Sequence, residues 1–388
     1  MLVQIMRRLL YLSCMLLFFL ASCASSGSPT SSQQSSPSST SHTSNIPNIH
    51  LPAGFQISVY AQGLKSPRFM TIGPKGTLLV TNRLDNSIVA YPAGGSLEKA
   101  DTPTTIVNGL NDPTSLVMHG GYLYIGERQS VARVALGDDL KAGPTQRIID
   151  NLPDGGHNTR TVLIGPDNRL YVSVGSSCNV CIEQDPHRAA VWIYNLDGSE
   201  GRLFTKGLRN AVGLAVNPWT QTVWADVNGR DLIGNDTPPE TVYELVDQGD
   251  AGWPRCHAGD IHDPDFGKAA NACQGVMQPL VKMQAHSAPL GLDFYPTKAT
   301  QFPDNYRNSL YIAFHGSWNR TKPTGYKVIR VPLNNGKVSG PPEDFIAGWL
   351  DNNNAVSGRP VGITFAPDGS LFVSDDSTGN IYHVWYQK

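Results

Sequence analysis

The chain has 388 residues, of which 40% are hydrophobic and 16% charged, with 38 glycines and 28 prolines. Its formal charge is −2 and its only adjacent basic pair is Arg7–Arg8 in the N-terminal segment, a balance that speaks against nucleic acid as a partner. The length suits one large domain or two small ones.

Residues 1–22 set Arg7 and Arg8 ahead of an apolar run from Leu9 to Leu20, followed by "LASC". That run is shorter than the roughly 20 apolar residues of a spanning helix, and its flanks are those of an export signal. "LASC" resembles a bacterial lipobox, which makes Cys23 the lipidated first residue of a mature, extracytoplasmic lipoprotein. Removing Arg7 and Arg8 with the signal takes the charge from −2 to −4. Residues 23–45 are rich in Ser and carry no Lys, Arg, Asp or Glu. They read as a disordered tether reaching on the order of 26 Å, and the globular part covers 46–388.

From there helical periodicity is scarce, and short alternating runs recur between turn residues. Six segments align in phase: "SPRFMTIGPKGTLLV", "DPTSLVMHGGYLYIG", "NTRTVLIGPDNRLYV", "NAVGLAVNPWTQTVWA", "APLGLDFYP" with "NSLYIAF", and "RPVGITFAPDGSLFVS". Matched positions Pro67, Pro113, Thr159, Ala211, Pro289 and Pro360 are spaced by 46, 46, 52, 78 and 71 residues. Four strands with their turns need about 40 to 50 residues, so the pattern predicts an all-β, six-bladed β-propeller with two blades carrying insertions. The last unit has room for three strands only, and "FQISVYA" at 55–61 is expected to complete it and close the ring. A two-sheet sandwich does not explain repetition in phase.

Cys14 leaves with the signal and Cys23 carries lipid, which leaves Cys178, Cys181, Cys256 and Cys273. In an exported chain these can form disulfides, with three possible connectivities. Proximity favours Cys178 with Cys181 and Cys256 with Cys273. A redox-active dithiol at "CNVC" is the alternative, but no βαβ pattern surrounds it.

In a propeller, residues just before each inner strand gather at one mouth of the channel. These are Lys65 and Ser66, Asn111 and Asp112, His157 and Asn158, Arg209 and Asn210, Ser287 and Ala288, and Gly358 and Arg359. Three permanent cations face one carboxylate, so an anion is expected to offset their repulsion. Arginine suits that task because its planar, always-charged fork matches carboxylate or phosphate oxygens.

"GGHN", "LRNAVGLAV", "DAGWP", "FHGSWNRTKPTGYKVIRV" and "GRPVGITFAPDGSLFVSDD" together resemble the soluble quinoprotein sugar dehydrogenases, most closely the sorbosone dehydrogenase branch. The resemblance implies pyrroloquinoline quinone at the mouth with a calcium ion beside it. It also implies oxidation of an aldose or an aldehyde, with electrons passed to an external acceptor. On that likeness His157 is the general base and Arg209 stabilises charge on the quinone. Asn210, Arg359, His315 and Arg320 are further cofactor contacts, and the backbone carbonyls of Arg230 and Asp231 face the metal. Asp236 and Glu240 form either a second calcium site or an acidic surface loop. Trp253 is expected to pack its blade, and Trp318 to stack on substrate.

Two departures from the glucose-oxidising branch stand out. Gly156 replaces an Asp before the base, and Ser176 replaces an Asp that would orient the imidazole. Two rival readings share the fold. One is a propeller that only binds a ligand; the other is a metal-dependent lactonase, disfavoured because Asp112 is the lone acid at the matched positions.

Overall fold

The computed structural model describes Ile46, residues 48–94 and residues 98–387. The signal, Cys23 and the tether lie outside the described residues.

Six sheets follow one another along the chain, and each starts at a matched position or within two residues of it. The first blade is Pro67–Ile72, Leu78–Asn82, Ser87–Tyr91 and Thr104–Val107, and the second is Ser115–His119, Tyr122–Gly126, Val131–Ala135 and Gln146–Ile149. The third runs Arg160–Ile164, Leu170–Val174, Ala190–Tyr194 and Arg202–Lys206; the fourth runs Ala211–Asn217, Thr222–Val227, Glu240–Glu244 and Val281–Met283. The fifth is Pro289–Phe294, Ser309–Phe314, Lys327–Asn334 and Glu343–Ile346. The sixth has Pro360–Phe365, Leu371–Asp375 and Asn380–Tyr386 from the end of the chain, and takes its outer strand from Phe55–Ala61. Phe55 pairs with Tyr386 and Ala61 with Ile381, so the ring closes by an early strand, as the repeat count requires.

Burial follows position in the blade. The second strands Leu78–Asn82, Leu170–Val174 and Ser309–Phe314 are buried at every residue because a neighbouring blade covers each face. Their Leu, Val, Ile, Tyr and Phe content suits that setting. Outer strands such as Thr104–Val107 and Gln146–Ile149 begin with exposed residues.

The core is divided accordingly. One apolar cluster lies between each adjacent pair of blades, for example Leu79, Ile88, Leu116 and Ile125 between the first and second. A smaller group, Val212, Leu290 and Val361, joins inner strands near the axis. The inner strands approach so closely that a Cβ on Gly291 would lie 2.5 Å from the Val361 carbonyl oxygen, and one on Gly362 would lie 2.6 Å from that of Arg68. Below this zone the inner strands of all six blades line a cavity of about 400 Å³ whose wall mixes apolar side chains with Thr71, Ser115, Thr161, Asp293 and Thr364.

Both expected disulfides are present, Cys178–Cys181 and Cys256–Cys273. The second lies in the excursion between the third and fourth strands of the fourth blade. Gly249–Asp250 in that excursion adds a parallel fifth strand to the third blade.

At the seam, Phe55 meets Phe302, Phe345 and Tyr386 edge-on, with ring centroids 4.8, 5.0 and 5.2 Å away. Phe55→Ala removes this buried ring and should cost about 3–5 kcal/mol. Equilibrium denaturation measures the loss, and ligand binding at the distant mouth should persist in the folded fraction.

Candidate active site at the channel mouth

Inner strands run away from the mouth and second strands return to it. The mouth is therefore built from the residues before each inner strand and from the connections between second and third strands. In blades three, four and five those connections are long: 175–189, 228–239 and 315–326.

His157 is set by its neighbours. Gly156 has φ +63°, and a Cβ there would lie 2.5 Å from the Ser177 backbone, so the site excludes the side chain that the glucose-oxidising pattern carries. The His157 amide donates to the Ser176 carbonyl (3.0 Å), and His157 Nδ1 lies 2.9 Å from the same oxygen and 3.0 Å from Ser176 Oγ. A carbonyl only accepts, so Nδ1 carries the proton and Nε2 keeps its lone pair. Ser176 thus takes the orienting place expected of a carboxylate. Burial, with the charge of Arg209 added, pushes the His157 pKa down from its ordinary 6.5 to about 4.

Gly175 joins the third and fourth blades here. A Cβ on it would strike Asn210 Oδ1 (2.3 Å) and His157 Cβ (2.6 Å), so its absence lets the amide and the imidazole sit side by side. The Ser176 amide donates to the Arg209 carbonyl (2.7 Å) and locks the same junction.

Arg209 is 5% exposed. Its Nη2 pairs with Asp231 Oδ2 (2.8 Å) and Asn179 Oδ1 (3.0 Å), and its Nε donates to the Asn179 carbonyl (2.9 Å). Burial would raise the Asp231 carboxyl, but His286 and Arg209 hold it below the usual carboxylate range. Asn319 Nδ2 donates to Asp231 Oδ1 (2.7 Å) and lies 3.2 Å from His286 Nδ1, while His286 Nε2 donates to the Gly234 carbonyl (2.8 Å). Asp231 therefore contributes its carboxylate to the site as well as its backbone.

A second group forms where blades five, six and one meet. His315 Nε2 donates to Asp376 Oδ1 (2.8 Å), and Arg68 Nη1 donates to Asp376 Oδ2 (2.7 Å). Against the push of burial, His315 and Arg68 hold the Asp376 carboxyl at about 2. Arg359 donates to the carbonyls of His315 (3.1 Å) and Gly316 (3.2 Å) and pairs with no carboxylate among the described residues.

The expected surplus of unpaired cations is corrected by these contacts. Asp231 offsets Arg209, Asp376 offsets Arg68, and Asp112 is itself taken by Arg83 at 2.5 Å. Arg359 and the exposed Lys65 remain without a carboxylate among the described residues. Asp112 is the lone acid at the matched positions, but Asp231 and Asp376 from other segments also reach the mouth, each held by Arg and His.

Arg320 turns aside from these groups. It donates to the carbonyls of Asn235 and Ala285 and pairs with Asp236 at 3.0 Å. Glu240 is not on a surface loop: it is 3% exposed, accepts from the Gly229 (2.5 Å) and Ala288 (3.2 Å) amides, and burial raises its pKa to about 7. The Arg230 guanidinium pairs with Asp263 and Asp265 and so ties the mouth to the Cys256–Cys273 excursion. The Asp231 carbonyl accepts from Asn179 Nδ2 (3.0 Å). Trp253 is buried as expected, and Trp318 is 71% exposed.

A family model described as TrAA12-like matches residues 49–244 and 257–387. The chain belongs to the TrAA12-like family. Among characterised relatives, this TrAA12-like chain is similar to a pyrroloquinoline quinone-dependent sugar dehydrogenase of Hypocrea jecorina, at 26% identity over 88% of this chain and 91% of that one. It is also 27% identical to a pyrroloquinoline quinone-dependent pyranose dehydrogenase of Coprinopsis cinerea over 85% of its length, and spans about half, 54%, of that larger protein. Among solved structures, the calcium structure of a Trichoderma reesei carbohydrate-active enzyme of family AA12 superposes with a TM-score of 0.77 at 22% identity. That match covers 89% of this chain and 98% of the other.

The depressed basicity of His157 has a measurable sign. Between about pH 4 and 6.5 the unfolded chain binds a proton at this residue that the folded chain does not, so folding stability should rise with pH across that window. Histidine-labelled NMR should place the His157 midpoint near 4. A midpoint at the ordinary value would show that burial and Arg209 do not act on it.

Proposed function

We propose that this chain is a pyrroloquinoline quinone- and calcium-dependent dehydrogenase that oxidises an aldose, or an aldehyde such as sorbosone, and passes electrons to an external acceptor. One observation carries the reading: His157 presents an unprotonated Nε2 that has no partner among the described residues, beside the Arg209–Asn210 pair. The related dehydrogenases support it.

The residues present fit such a cofactor. Arg359 has charge to spare for a carboxylate, and Asn158 Oδ1, Ser287 Oγ and Asn319 Oδ1 are buried polar atoms without a partner among the described residues. Arg209, Asn210 and Arg359 would hold the planar polyanion, with His315 flanking it, while Arg320 is committed to Asn235, Ala285 and Asp236. The carbonyls of Arg230 and Asp231 would face calcium. The Asp231 carbonyl would share its two lone pairs between the ion and Asn179.

When bound, the quinone supplies the acceptor for a hydride from the substrate carbon. The hydroxyl proton on that carbon, which an aldehyde carries only as its hydrate, goes to His157 Nε2, which is free to take it at any pH well above 4. Ser176 keeps the imidazole in the tautomer that can accept. Arg209, fixed by Asp231 and Asn179, keeps a positive charge where negative charge develops. Trp318 offers an exposed face for a sugar ring. Lipid on Cys23 would keep the protein membrane-attached outside the cytoplasm.

The test mixes purified protein with pyrroloquinoline quinone and calcium and offers aldoses and aldehydes with a redox dye. Dye reduction should depend on the quinone and fall about 10²–10⁴-fold in His157→Ala, the usual contribution of a general base. Calorimetry should still register quinone uptake by that variant. Absence of uptake by the unaltered protein, or an undiminished rate in the variant, overturns the proposal.

A further inference from the structure

We propose that Asn179 is a positioning residue for Arg209, presented by the short ring that the Cys178–Cys181 disulfide closes. Its functional weight rests on the reading just given, but its geometry stands apart from it.

Asn179 uses every polar atom of its side chain. Oδ1 accepts from Arg209 Nη2 (3.0 Å) and from the Asp231 amide (2.8 Å), while Nδ2 donates to the Asp231 carbonyl (3.0 Å). The side-chain amide thus pairs with the backbone of Asp231 as a neighbouring strand would, and fixes the residue whose carboxylate holds Arg209. Its own carbonyl accepts from Arg209 Nε (2.9 Å) and Trp253 Nε1 (3.4 Å). Three loops meet at this one residue.

The chemistry needs an amide. A carboxylate offers nothing to donate to the Asp231 carbonyl, and an aliphatic side chain would leave Arg209 tethered through Asp231 and the main chain alone. A guanidinium held on two sides keeps its plane, whereas a single contact permits rotation.

The ring also reaches the base. Ser176 Oγ donates to the Cys178 carbonyl (2.7 Å) and lies 3.0 Å from His157 Nδ1. The disulfide joins residues three apart and holds the chain on either side of Asn179. One covalent closure therefore supports the group that orients His157 and the group that orients Arg209. Ile182, just beyond the ring, is exposed.

Histidine-labelled NMR of the quinone-free full chain provides a readout that a structural role alone would not move. The charged groups acting on His157 are Arg209, Asp231 and Arg188. Displacing Arg209 lifts part of the pressure on its pKa. Asn179→Ala should raise the His157 midpoint by about one unit, the scale of a weakened charge contact. In an Arg209→Ala background the same substitution should no longer raise the midpoint, since the upward shift acts through Arg209 and a loosened Asp231, whose charge raises it, would lower it. With quinone, kcat should fall about tenfold and KM much less, as expected for loss of an interaction made in the transition state.

An unmoved midpoint in folded Asn179→Ala, or an equal shift without Arg209, overturns the proposal. If Asn179→Ala does not fold, Asn179→Ser, which leaves the disulfide ring and the Ser176 contact in place, takes its place and must raise the midpoint. Should the unaltered protein prove inactive with quinone, the functional reading fails while the NMR arm still decides the role of Asn179.

Discussion

The close approach of inner strands around the axis is the constraint on which the other features depend. At Gly291 and Gly362 a single methyl group would strike the next blade's backbone, and Gly213 stands in the same way against the Leu290 carbonyl. Side chains bridge the same gap elsewhere: Thr114 Oγ1 donates to the Arg160 carbonyl (3.0 Å), and Thr364 Oγ1 donates to that of Met70 (2.8 Å). A wider ring would separate the starts of the inner strands, and His157, Asn210 and the arginines would no longer share one hollow. Core packing and site geometry are two results of the same spacing.

Charge at the mouth obeys a second rule, that a buried ion needs a fixed partner. Arg209 and Arg68 are buried, and each finds its carboxylate on a different segment, Asp231 and Asp376. Those pairs leave the field at His157 positive enough to add to the effect of burial, so the imidazole is a weak but permanently available base near neutral pH. A carboxylate in place of the Ser176 carbonyl would make a stronger base at the cost of its availability in acid. The chain has the neutral arrangement.

The blade count, the closing strand, both cysteine pairs and the place of His157 before its inner strand are legible because each leaves a local or periodic mark. "GPDNRLYV" and "APDGSLFV" announce a turn between two strands, and six such marks in phase leave one architecture. Asn179, Asp231, His286 and Asp376 were not read as site side chains. They lie on strand connections or loop ends, outside the aligned phase, and their partners are 22 to 308 residues away. The second-to-third connections open on the same face as the residues before each inner strand, which is a consequence of antiparallel order alone. Taken together, the two sets place Asn179 and Asp231 at the mouth. For Glu240 the surface-loop alternative fails: an acidic residue after two prolines resembles a surface turn, whereas two amides from other segments hold it inside.

The seam in the sixth blade carries a topological consequence. Phe55 lies opposite Tyr386, and the Gln387 amide donates to the Gly54 carbonyl at 2.8 Å, both at the blade end remote from Pro360. First and last strands thus meet on the blunt side of the ring. A circular arrangement of blades has no privileged beginning, so joining these ends and reopening the chain at another blunt-side hairpin would cyclically permute the sequence while every blade kept its two neighbours.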